Sequence, residues 1–126
     1  MGHVAEAFSE EQLAKLPGPS ALGHVRYSTA GDSSLRNCGP FWVDNARGPI
    51  AVAHNGNLTN AETLRRTLEE EGAIFQSSTD SESFLHLIAR SREITTVERI
   101  REALRRVAGA DSLIFLTDRF LVAARA

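Results

Sequence analysis

Residues 50–64, IAVAHNGNLTNAETL, interrupt an apolar, β-branched run with Asn55-Gly56. Glycine allows close approach of the backbone, and its N–H can meet a ligand with no side chain in the way. The Asn55 amide supplies a second donor. Two donors aimed at one point form an oxyanion hole, the device that stabilises the tetrahedral intermediate of acyl transfer. The same dipeptide is also the commonest tight-turn pair. Arg26 breaks a mostly apolar segment, so its guanidinium needs a carboxylate or phosphate, in a ligand or in a structural ion pair. Thr29 ends that segment, and its hydroxyl can serve the same carboxylate or the local backbone. Asp80 follows Thr79 at a helix start, where a carboxylate receives an ammonium group or complements the helix dipole. Together the three sites offer a cation for a carboxylate, an anion for an ammonium and paired donors for a carbonyl oxygen. That is a complementary mould for glutamine.

Other polar residues carry less. His24, His54 and His86 each read as a buried, hydrogen-bonded histidine rather than a base. No histidines and carboxylates fall at metal-ligand spacing, so no metal site is expected. Gly31 lacks partner glycines for a phosphate loop, so no cofactor is expected either. Cys38 lies in a polar loop with no adjacent base and reads as a surface thiol.

Capping boxes place the helices that must hold these groups. Ser9 with Gln12, Thr59 with Glu62, Thr79 with Glu82 and Thr95 with Glu98 each pair a hydroxyl with a Glu or Gln three residues on. Behind them, Ala61, Leu64 and Leu68, then Phe84, Leu85 and Ile88, then Val97, Ile100, Leu104 and Val107 keep helical period. Strands are expected at Ser20–Ser28, Phe41–Asp44, Ile50–His54, Ala73–Gln76, Ser112–Thr117 and Phe120–Ala124. The loop 45–48 reads as a hairpin connection. The last two strands are so apolar that both their faces are expected to be covered. Strands and helices cluster rather than alternate strictly, which favours a layered α+β domain.

With 126 residues, 42% of them hydrophobic, the chain suits one domain spanning 1–126. A net charge of −2 with scattered basic residues disfavours nucleic acid as a partner. No run approaches the roughly 20 apolar residues that span a bilayer, and no signal pattern opens the chain, so a cytoplasmic location is expected.

Four stretches, GHVRYSTAG, PIAVAHNGNLTNAETLR, GAIFQSSTDSESFLHLIARS and DSLIFLTDRFLVAARA, resemble in order and spacing the glutamine amidotransferase domain of amidophosphoribosyltransferases. Tyr27 and Ala30 separate this type from the glucosamine-6-phosphate synthase type of class II amidotransferase, which carries Trp and His there. The resemblance implies an N-terminal-nucleophile hydrolase fold, a four-layer αββα sandwich of antiparallel sheets, here partial. It implies that Arg26, helped by Thr29, clamps the glutamine α-carboxylate, that Asp80 takes the α-ammonium, and that Asn55 and the Gly56 N–H form the oxyanion hole.

In that family the nucleophile is an N-terminal cysteine whose own α-amine is the base. This sequence opens Met1-Gly2-His3-Val4. It is therefore expected to be an incomplete domain, truncated at both ends and inactive as written. The parent enzyme would make phosphoribosylamine for de novo purine synthesis. Its phosphoribosyltransferase domain, magnesium chemistry and homo-oligomeric contacts would lie elsewhere. The alternatives are a non-catalytic glutamine-binding or regulatory module, and another class II amidotransferase.

Overall fold

The computed structural model of the chain describes residues 3–26 and 34–125. In chain order it contains α1 (Val4–Ala7), α2 (Glu10–Ala14), a 3-10 turn (Leu35–Asn37), β1 (Phe41–Asn45), β2 (Gly48–Leu58), α3 (Ala61–Glu70), α4 (Ser81–Arg90), α5 (Thr96–Arg106), β3 (Gly109–Thr117) and β4 (Leu121–Arg125). The strands form one antiparallel sheet in the order β1-β2-β3-β4. No helix among the described residues is long and apolar enough to cross a membrane.

The β1–β2 hairpin follows from its loop. Asn45 pairs with Gly48 around Ala46-Arg47, and Gly48 takes φ +103°, a backbone conformation that favours glycine at a tight hairpin connection. Period-2 alternation then sends Ile50, Val52, His54 and Leu58 of β2 to the same face as Asp111, Leu113 and Phe115 of β3. On that face lie Leu64 and Leu68 of α3, Phe84, Leu85, Leu87 and Ile88 of α4, and Ile100 and Ala103 of α5, closing one hydrophobic core. Helix α4 sits centrally, packed against β1, β2, α3 and α5.

The layered α+β reading holds: an antiparallel sheet carries helices on one face. Its other face is open among the described residues, with Trp42, Ile114 and Leu121 exposed. The expectation that both faces of the last strands are covered is thereby corrected. Burial alternates along β3 and β4, so only one face is packed.

Several local expectations also change. Residues 20–26 are irregular rather than a strand, and the remainder of the expected Ser20–Ser28 strand lies outside the described residues. Ala73–Gln76 is not a strand, because its backbone is committed elsewhere. Ala73 N–H closes α3 onto Leu68 O, and Gln76 N–H donates to the buried Glu82 carboxylate. Thr59 does not cap α3, since both its N–H and its hydroxyl donate to Ala108 O. Thr79 does not cap α4 either; Asp80 holds the N-cap position. The boxes at Ser9 and Thr95 form as expected.

One half-buried group outside the cleft has a shifted titration. His86 stacks on Phe75 at 4.5 Å, and its Nε2 has no hydrogen-bond partner among the described residues. Burial lowers its pKa below the ordinary 6.5, with Arg90 and Arg65 adding to the effect against Glu82. The unfolded chain therefore binds this proton more readily. The stability His86 contributes is present above pH 6.5 and is lost as pH falls through its folded value. His86→Leu is expected to lose less stability than the wild type between about pH 7 and pH 5, read from urea midpoints at the two values.

Candidate active site

Strand β2 runs past the end of β1. Beyond Val52 its β1-side edge has no strand partner among the described residues, while its other edge pairs with β3 as far as Leu58↔Gly109. Backbone groups alternate across a strand, so those of 54, 56 and 58 face the free edge and those of 55, 57 and 59 face β3. Two contacts fix the phase: Leu58 N–H donates to Asp80 Oδ2 at 2.9 Å, and Thr59 N–H donates to Ala108 O at 2.7 Å. Gly56 N–H consequently points the same way as Leu58 N–H. It opens into a cleft of about 810 Å³ whose walls include Arg26, Asn55, Gly56 and Asp80.

Asn55-Gly56 thus lies inside a strand rather than at its mouth or in a turn. Gly56 is needed because β3 approaches it closely: a Cβ there would stand 2.7 Å from Ala110 O and 2.9 Å from Asp111 Cα.

Arg26 enters from the irregular segment before the sheet, and its Nη1 donates to Asn37 O at 2.7 Å. Asn37 in turn pairs with Ser78, donating Nδ2–H to its hydroxyl and accepting its N–H. Through Asn37 the guanidinium is tied to the loop that leads into Asp80. Arg26 forms no ion pair among the described residues. Thr29 lies outside the described residues.

Asp80 is partly exposed to the cleft. Burial works against its ionisation, but His54 and the N–H groups of Leu58 and Ser81 hold its pKa below the ordinary carboxylate value.

His54 and Ser81 line the cleft and Asp111 is buried behind His54; neither Ser81 nor Asp111 has a place in the expected site. His54 Nε2 lies 2.8 Å from Asp111 Oδ1, and its Nδ1 lies 3.1 Å from Ser81 Oγ and 3.6 Å from Asp80 Oδ1. Both the imidazole and the Asp111 side chain are sealed from solvent, at 1% and 0% exposure. Burial disfavours charge on His54, yet Asp80 and Asp111 outweigh it and raise its pKa above 6.5. Cys38 is exposed and does not line the cleft.

The arrangement suits a small zwitterion: one cleft is lined by a cation, an anion, a main-chain N–H and a residue with a side-chain amide, donors suited to a neutral carbonyl oxygen. Comparison with known proteins points to the same class. A sequence model of the glutamine amidotransferase domain matches residues 24–125, and the chain belongs to that family. Its relatives are amidophosphoribosyltransferases. It is 51% identical to the chloroplastic amidophosphoribosyltransferase 1 of Arabidopsis thaliana over 125 residues, covering 99% of this chain and 22% of that protein. It is 46% identical to the enzyme of Rhizobium etli, covering 99% of this chain and 25% of that one.

Among solved structures, the B. subtilis glutamine phosphoribosylpyrophosphate amidotransferase complexed with ADP and GMP superposes with a TM-score of 0.74 at 37% identity, over 81% of this chain and 22% of that one. A structure described as the allosteric regulatory enzyme of purine biosynthesis gives 0.77 at 40% identity, with the same coverage. The N-terminal-nucleophile hydrolase type expected from the sequence is the fold of these neighbours. The chain spans 22% of the length of the Arabidopsis relative.

Proposed function

We propose that this chain forms the glutamine-holding part of the glutaminase domain of an amidophosphoribosyltransferase, which draws ammonia from glutamine to make phosphoribosylamine for purine synthesis. The observation that carries this reading is the single cleft joining Arg26, Asn55, Gly56 and Asp80 in a chain of this family. Arg26 holds the α-carboxylate, Thr29 is assigned to help it by the family resemblance alone, and Asp80 holds the α-ammonium. The Gly56 N–H and the Asn55 amide receive the side-chain carbonyl oxygen as it gains charge. A cysteine thiolate adds to the amide carbon, ammonia leaves, and water cleaves the thioester to glutamate. Cys38, the chain's one cysteine, stands outside the cleft, so the 126 residues bind glutamine without turning it over. Phosphoribosyl transfer, its magnesium and subunit contacts belong to the rest of the parent enzyme, in the cytoplasm or, as the plant relatives' names have it, the chloroplast.

Calorimetry with glutamine tests the reading. Saturable binding is expected, weakened by about 10- to 100-fold in Arg26→Ala, since a charge-assisted contact is worth about 1.5–3 kcal/mol. No glutamate should accumulate. Unchanged affinity in Arg26→Ala, or glutamate release that requires Cys38, would overturn it.

A further inference from the structure

His54 has no part in the chemistry just described, yet it is among the most tightly enclosed polar side chains near the cleft. Its ring projects from the helix-covered face of β2 and is reached from three directions. Asp111 approaches from β3, and Asp80 with the Ser81 hydroxyl approaches from the start of α4. The edge of Phe84 closes the apolar side, ring centroids 5.3 Å apart. On the cleft side lie His24, whose protonation is disfavoured by burial and by the charge of His54, and Arg26 beyond it.

A carboxylate at Asp111 can only accept, which puts one ring proton on Nε2 and leaves Nδ1 to answer to Ser81 and Asp80. Asp80 is thereby braced at two points, by the Leu58 N–H on Oδ2 and by the imidazole 3.6 Å from Oδ1.

We infer that His54 is a positioning residue, a buried imidazole strut between Asp111 and Asp80 that sets the Asp80 carboxylate where it meets the α-ammonium of an amino acid. The inference rests on the proposed glutamine site and adds a linkage to it. The ring and a bound ammonium share Asp80, so two cations compete for one carboxylate. Glutamine binding then pulls the His54 titration to lower pH. By reciprocity, glutamine affinity rises severalfold as pH rises through the His54 titration, until the amino acid's own ammonium begins to deprotonate.

The test is NMR titration of the His54 ring in the 126-residue chain, alone, with saturating glutamine, and in Asp80→Asn. The titration midpoint is expected to fall in Asp80→Asn and on adding glutamine to the wild type. Above the His54 titration, where no imidazolium competes for Asp80, His54→Leu should weaken glutamine binding severalfold, because the carboxylate loses the group that places it. A midpoint that is the same in Asp80→Asn as in the wild type overturns the strut, whether or not His54→Leu folds. A midpoint that falls in Asp80→Asn while glutamine neither binds nor shifts it leaves the strut standing and overturns the glutamine reading instead. Glutamine that binds without moving the midpoint removes the positioning role.

Discussion

Phe84→Ala is expected to remove about 3–5 kcal/mol of folding free energy, the usual result of emptying a filled aromatic site. Phe84 is fully buried on α4, which packs against α3, α5, β1 and β2. Its ring meets Phe115 edge-on, with centroids 6.3 Å apart, and carries the His54 ring on another side. The walls of the resulting cavity belong to the paired sheet and to other helices, so they close in only partly. Against a typical total of about 5–15 kcal/mol, the variant stands near the threshold of folding. Urea denaturation measures the loss, with an unchanged slope as the sign that the unfolded state is unaffected. A loss under about 1 kcal/mol would contradict a closely packed helix face.

Gly56→Ala is expected to cost about 1–3 kcal/mol and to lower glutamine affinity together with stability. The new methyl group would press on Ala110 O and Asp111 Cα, main-chain atoms of the strand paired directly opposite. No rotamer relieves that clash. β2 and β3 must part at this pair, and the 2.8 Å contact between His54 and Asp111 is stretched with them. Denaturation and calorimetry on the same preparation read both effects. A variant as stable as the wild type that binds glutamine normally would mean the strands have room to spare there.

Local chemistry made much of this molecule legible. The loop 45–48 set the first hairpin, the boxes at Ser9 and Thr95 set two helix starts, and the Leu64–Leu68 spacing set the buried stripe of α3. Thr59 and Thr79 misled because a hydroxyl near a helix start can be claimed by a distant strand or a neighbouring loop. Asn55-Gly56 has the composition of a turn, yet pairing with β3 carries the strand through it. That pairing is decided by residues 109–112, which local propensity at 55 does not register. Asp111 shares parity with Leu113 and Phe115, so its burial was readable from alternation. Its partner was not, because His54 lies 57 positions away and only the β2–β3 register brings them together.

Beyond Val52 the β1-side edge of β2 has no strand partner among the described residues, so the group facing the cleft at residue 56 is a piece of main chain. Such a donor cannot be erased by exchanging its own side chain, except for proline, which alone lacks the hydrogen. Inherited variation can therefore disable this position chiefly by shifting the neighbouring strand, and harmful substitutions should gather along β3 as much as at the cleft itself.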